Sequence, residues 1–203
     1  MLILVRHAQS LWNAEGRLAG RADPPLTELG RRQAAATGRH LAAERAAAPG
    51  PPPRVLASPL ERALRTAELI AAALGVPEVV VDAQLVELDY GELDGSLLAE
   101  LDRAQWQRWR EDVAWRPPGG ETLVELHERI RAWCEGIAEA ASGGDVVAVT
   151  HVSPVKAAAG WAIGAGPEVS WRMSLAVSSI TRVATSPRSL HSFGETAHLA
   201  GLG

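Results

Sequence analysis

Near its amino terminus the chain reads LILVRHAQSLWN over Leu2 to Asn13, so that Arg6 and His7 follow directly on an apolar run. A guanidinium beside an imidazole suits an anion site that holds a nucleophile or a base. The plainer reading is a strand that merely ends in polar residues. Three distant residues have the chemistry to join such a site. His151 also follows an apolar run, DVVAVT, and Arg62 stands in SPLERALRTA. Glu87 shares the stretch LVELDYGELDG with Asp89, Glu92 and Asp94. Most of these acids are expected in solvent, and one could serve as a catalytic acid.

Strands and helix starts have to position these groups. Leu2 to Val5 is partly β-branched and bounded by polar residues, which predicts a buried strand of a parallel sheet. Ligands bind at the carboxyl edge of open α/β sheets. Both histidines fall on that edge, and they can share a ligand only if their strands are neighbours. Successive side chains of a strand face opposite ways. For Arg6 and His7 to converge, the chain must therefore leave strand geometry there.

Gly16 to Pro25 reads as loop. Thr27 caps a helix that runs to about Ala48, with Glu28 in its first turn, and APGPPP ends it. Arg54 to Ala57 is the next strand. Ser58 as N-cap, Pro59 in the first helical position and Glu61 closing a capping box predict a helix stopped by Gly75 and Pro77. Leu60, Leu64, Ala67, Ala71 and Leu74 mark its apolar face. Arg62 then lies near the helix start, where the dipole disfavours a cation by about 0.3 to 1 kcal/mol. A phosphate bound there would reverse the sign; an exposed arginine paired with Glu61 or a nearby acid is the simpler account.

Val79 to Val81 is a third strand. Ser96 to about Val113 is expected to be helical, its Trp106, Trp109 and Val113 forming a stripe suited to core packing. Thr122 and Glu125 make a second capping box, and Leu123, Leu126, Ile130, Trp133 and Ile137 carry the helical period to about Ala140. Asp145 to Thr150 is a strand, after which Ser153 and Pro154 are expected to cap and open a helix. Ser178 to Ala184 reads as the last strand, with a short partner near Leu190 to Phe193. The tail ETAHLAGLG is expected to be peripheral.

At 203 residues, 47% hydrophobic and 22% charged, the composition suits one globular domain over residues 1–203. A net charge of -4 excludes a general affinity for nucleic acid or anionic membrane. The one cysteine, Cys134, excludes a disulfide framework and fits core packing in a reducing compartment. The short first apolar run is neither a signal sequence nor a membrane span, so a cytoplasmic location is expected. No P-loop, HExxH or G-x-S-x-G motif is present.

In order, VRHAQSLWN, GRADPPLTELG, SPLERALRTA, LVELDYGELDG, PPGGET and VTHVSP resemble the histidine phosphatase superfamily in its phosphoglycerate-mutase-like branch. The resemblance implies a three-layer α/β/α fold with a mostly parallel sheet flanked by helices. It also implies that His7 is the nucleophile, transiently phosphorylated, and Glu87 the proton donor. Arg6, Arg62 and His151 would surround the phosphoryl oxygens, with Asn13 and Val152 as further substrate-binding residues. No metal and no cofactor are implied, since fixed cations take the metal's place. Ala8 and Val152 stand where the family often has glycine, and Lys156 where arginine is common.

The activity implied first is hydrolysis of small phosphomonoesters. Cofactor-dependent phosphoglycerate mutases of this family are longer between the proton-donor block and the second histidine, whereas Asp94 to Thr150 is compact here. A smaller cover admits water. The alternatives are such a mutase and a non-catalytic phospho-ligand or protein-binding module. The partner implied is a small phosphorylated molecule, bound by a monomer or a homodimer. Trp106, Trp109, Arg110, Trp115 and Arg116 could line a cover over the site or simply pack.

Overall fold

A computed structural model describes residues 1–202. Six strands form one sheet in the order β3-β2-β4-β1-β5-β6. They are β1 (Leu2–Arg6), β2 (Arg54–Ala57), β3 (Val79–Val81), β4 (Val146–Thr150), β5 (Ile180–Thr185) and β6 (Arg188–Glu195). The first four run parallel, and β5 pairs antiparallel with both β1 and β6. The strand period of two divides the apolar residues between the layers. Ile3, Val5, Val147 and Val149 face α2 (Glu28–Ala47) and α3 (Glu61–Leu74), meeting Leu41, Ala63, Ala67 and Ile70. Leu2, Leu4, Val146 and Ala148 face α5 (Leu123–Gly143) and α6 (Val152–Ile163), meeting Leu126, Ile130 and Trp133. The result is the three-layer α/β/α arrangement. Cys134 is fully buried in it.

The parallel pairing of β1 with β4 matches Val5 to Val149 and Arg6 to Thr150. His7 and His151, each the next residue, therefore emerge side by side. The adjacency required of the two strands is met. His7 N still donates to Thr150 O, 2.8 Å away, although β1 has ended at Arg6.

Local signals succeeded where the bonding partner is itself local. Thr27 Oγ1 accepts from Gly30 N, and Thr122 with Glu125 forms the expected capping box. Two other expected caps are corrected. The helix containing Arg62 starts at Glu61, later than Ser58 and Pro59 implied, and no side chain of its own caps it. Asp23, from the preceding loop, accepts from Glu61 N at 2.6 Å instead. After β4, His151 is the N-cap residue and the helix begins at Val152, ahead of Ser153 and Pro154. In both places a partner far along the chain outcompetes the local cap.

The long helix expected from Ser96 is also corrected. A backbone bridge between Arg17 and Leu97 holds this stretch extended, Leu98–Glu100 forms one 3₁₀ turn, and α4 is only Arg103–Glu111. Asp102 caps α4 by accepting from Gln105 N. Trp109 is buried, in edge contact with Tyr90, Trp106 and Trp171, so the tryptophan stripe packs. Asp94 is not free in solvent: its carboxylate accepts from Gly20 N and Ala22 N, each at 2.7 Å. The strand expected from Ser178 starts instead at Ile180, as β5, since Ser178 has φ 57°. The tail is anchored through His198, and its last residue, Gly203, lies outside the described residues. Among the described residues no helix is long and apolar enough to cross a membrane.

Gly30 shows how closely α2 packs on the chain just after His7. A Cβ at this position would lie 2.1 Å from Gln9 O, a backbone atom that cannot swing aside. Gly30→Ala is expected to destabilise the fold by about 1 to 3 kcal/mol in urea unfolding, despite alanine's better helix propensity. Unchanged stability would show that Gln9 can shift freely.

Candidate active site

The imidazole of His7 is buried, with Nδ1 2.7 Å from Ala8 O. A carbonyl oxygen can only accept, so Nδ1 carries the proton and Nε2 keeps its lone pair. Burial first, then the nearby Arg62 and Arg6, holds His7 well below the usual histidine range. It is a neutral imidazole with its basic nitrogen presented to the site. Ala8 N donates to Thr66 Oγ1 at 3.1 Å, so this amide serves to fix the loop.

Arg62 is fully buried near the start of α3, and its Nε lies 3.3 Å from His7 Nε2. Its other nitrogens donate to the carbonyls of Ala19, Gly20 and Ala22, while Asp23 stands 3.5 Å away. These oxygens offset the unfavourable helix-start position. They also fix the guanidinium, leaving one N–H for the histidine side. The simple surface pair with Glu61 is not formed.

His151 is fully buried, its ring centroid 5.1 Å from that of His7. Its Nε2 lies 2.8 Å from Ser58 Oγ, the hydroxyl at the carboxyl end of β2. His151 Nδ1 and Arg6 Nε are buried with no hydrogen-bond partner among the described residues. Arg6 is tethered through its Nη1, which donates to Leu175 O at 2.5 Å. A buried polar atom without a partner costs free energy that a bound anion would recover.

Glu87 is 2% exposed. Its Oε1 accepts from Leu88 N at 2.7 Å and Ser153 N at 3.2 Å, so the carboxyl group caps α6 from outside. Burial raises its pKa, outweighing these hydrogen bonds and the attraction of Arg62 and Arg6. Thr150 Oγ1 and Arg129 grip the backbone just before it, at Leu85 O, Gln84 O and Val86 O. Arg6, His7, Asn13, Glu87 and Val152 line one cleft of about 340 Å³. An unprotonated imidazole and a buried acid thus face the same space, each biased toward its neutral form.

A model of the histidine phosphatase superfamily (branch 1) matches residues 2–192. The chain belongs to this family. It is 32% identical over 210 residues to a probable phosphoglycerate mutase of Yersinia enterocolitica, covering 98% of this chain and 94% of that one. Identity is 37% over 183 residues with a bifunctional protein of Mycobacterium tuberculosis. That match covers 89% of this chain and 49% of the relative, so the chain spans about half the length of such mycobacterial relatives. Among solved structures, a mycobacterial glucosyl-3-phosphoglycerate phosphatase complexed with VO3 superposes with a TM-score of 0.84 at 26% identity. The superposition covers 96% of this chain and 98% of that one. A phosphoserine phosphatase from Entamoeba histolytica, in complex with 3-phosphoglyceric acid, gives 0.84 at 26% identity over 98% of each chain.

In this member of the family the structure brings Arg6, His7, Arg62, Glu87 and His151 together. Asn13 also lines the cleft, with its Oδ1 accepting from Ser10 N and Ser10 Oγ in the capping box of α1 (Leu11–Glu15). Sequence reasoning missed Ser58 as the partner of His151, Thr66 as the hook for Ala8, and Asp23 as the brace of α3. Only Ser58 left a signal, as a hydroxyl at a strand end next to SPLERALRTA. Tyr90 and Arg17, further lining residues, were also missed.

His151 is depressed well below the usual histidine range for the same reasons as His7, burial first and then Arg62. Unfolding frees both to bind protons near pH 6.5. The stability they contribute is therefore present above about pH 6.5 and lost as pH falls below it. Glu87, with a raised folded pKa, has the opposite sign, its contribution being lost as pH rises through the carboxylate range. Thermal midpoints are expected to drop between pH 7 and pH 5, and saturating orthophosphate to flatten that drop. A midpoint independent of pH over this interval would contradict the burial of neutral histidines.

Proposed function

We propose that residues 1–203 form one domain that hydrolyses small phosphomonoesters through a phosphohistidine on His7. One observation carries the reading: neutral His7 lines a cleft with Arg6 and packs against His151, and the buried Arg6 Nε and His151 Nδ1 have no hydrogen-bond partner among the described residues. Nucleophilic attack by Nε2 on phosphorus forms the N–P bond while the ester P–O bond breaks, splitting one displacement into two easier ones. Arg6, Arg62 and His151 stabilise the charge on the equatorial oxygens. Glu87, whose Oε2 takes neither of the two backbone N–H bonds, delivers its proton to the departing alkoxide. In the second half Glu87 takes a proton from water, whose oxygen attacks phosphorus. The N–P bond breaks, orthophosphate leaves, and neutral His7 returns. The single buried cysteine suits a reducing, cytoplasmic setting for this reaction.

A second reading is phosphoryl return to a sugar-acid phosphate, as in a mutase, supported by the identity with the Yersinia relative. Hydrolysis is favoured by the compact cover, whose Leu98 stays 48% exposed at the rim of the cleft. Supplied with 3-phosphoglycerate and catalytic bisphosphoglycerate, the protein is expected to release orthophosphate. Isomerisation without phosphate release would establish the mutase.

A further inference from the structure

The carboxyl-terminal tail reaches the backbone of the proposed nucleophile. Ser178 N donates to His7 O at 3.1 Å, and Ser178 itself is fully buried with φ 57°, the only positive φ among the described residues other than glycine. Side-chain-bearing residues adopt that region rarely, so neighbouring contacts must hold it. Those contacts come from α2 and from the tail. Thr37 Oγ1 lies 2.9 Å from Ser178 Oγ and 3.3 Å from Ser178 O. His198 Nε2 lies 3.0 Å from Ser178 O and 3.0 Å from Thr37 Oγ1. Since the carbonyl can only accept, Nε2 carries a proton and donates to it. His40 stacks on the His198 ring with centroids 5.1 Å apart and an interplanar angle of 18°.

The segment held in this way touches the site repeatedly. Leu175 O receives the Arg6 guanidinium, Ser179 O receives Arg6 N, and Val177 lines the cleft. One turn before Thr37 on α2, Gln33 Oε1 accepts from Gln9 N, on the other side of His7. The backbone around the proposed nucleophile is thus held by α2 through Gln9 and, through Ser178, by α2 and the tail.

We infer that His198 and Thr37 are positioning residues, which lock Ser178 in its left-handed conformation and so set the backbone of His7. The inference rests on the reading of His7 as nucleophile. Neither residue lines the cleft, and the hydrogen bond from Ser178 N ends on the backbone of His7, so their effect falls more on the rate of phosphoryl transfer than on phosphate affinity. A displacement of about 1 Å at a reacting group lowers rates by up to about 10²-fold.

The test uses the full chain with an aryl phosphate as substrate and orthophosphate as competitive inhibitor. His198→Ala is expected to lower kcat by about tenfold or more while the inhibition constant of orthophosphate moves less than twofold. His198→Gln, whose amide N–H can reach the same carbonyl, should restore most of kcat. Should His198→Ala fail to fold, Thr37→Val against Thr37→Ser makes the same comparison, with the loss confined to valine. Wild-type kcat in folded His198→Ala, or in Thr37→Val, would overturn the inference, as would a loss that glutamine does not rescue. A His7→Ala protein that turns over normally would instead overturn the nucleophile reading.

Discussion

Replacing His7 by alanine is expected to lower kcat for phosphomonoesters by roughly 10⁴-fold or more, as removal of a nucleophile does. His7 Nε2 accepts from Arg62 Nε at 3.3 Å, and His151, the neighbouring imidazole, has its Nε2 engaged with Ser58. Among the described residues no second imidazole nitrogen is paired with Arg62. The variant should remain folded and still bind orthophosphate, because Arg6, Arg62 and His151 are untouched. Steady-state turnover, with orthophosphate protection against heat as the binding readout, checks both halves. Activity within tenfold of wild type would remove His7 from the reaction.

The second large effect is expected from Glu87→Gln. Glutamine fills the same volume and keeps an oxygen for Leu88 N and Ser153 N, but it neither gives nor takes a proton. Alkyl phosphates, whose leaving alcohols need a proton, should lose roughly 10²- to 10⁴-fold in kcat. An aryl phosphate needs little help in the first step, so phosphorylation should survive while attack by water slows. The trace expected is a stoichiometric burst of phenol followed by slow release. Stability should respond the other way. Burial holds the folded pKa of Glu87 above its unfolded value, so the carboxyl's contribution is present at low pH and lost as pH rises through the carboxylate range. Glutamine is insensitive to pH, and the variant is expected to match or exceed wild-type thermal stability near pH 7. Equal losses on alkyl and aryl phosphates, without a burst, would show that Glu87 does not transfer the proton.

Much of this arrangement could be read before any coordinates were available, for a definable reason. The unbroken apolar runs in LILVR and DVVAVT report burial on both faces of a strand, and both strands end where their histidines begin. Thr122 and Glu125 cap their helix with bonds three residues apart, which sequence spacing can show. The errors share a cause. Ser58, read as a cap, bonds His151 from 93 positions away, and Ser153, read likewise, gives its N–H to Glu87 from 66 positions away. Asp23 supplies the missing cap of α3 across 38 positions. In each case a long-range bond satisfies the group that local pattern had assigned. The unease over Arg62 at a helix start had the same resolution, since the carbonyls that offset its charge belong to residues 19, 20 and 22. A turn of loop that folds under a helix leaves no periodic trace. The tail lies at the surface as expected, and its tie from His198 to Thr37 spans 161 positions that no local pattern reports.

The covalent intermediate is the centre of the account, and it can be seen directly. Glu87→Gln is mixed with a good aryl phosphate, quenched in alkali during the burst, digested, and searched by mass spectrometry for a phosphorylated peptide. Phosphohistidine survives alkali and is lost in acid. The expected result is one phosphoryl group on His7 at near stoichiometry, absent after an acid quench and absent from the His7→Ala, Glu87→Gln double variant. A phosphoryl group on another residue, or a phenol burst with His7 unmodified, would contradict it.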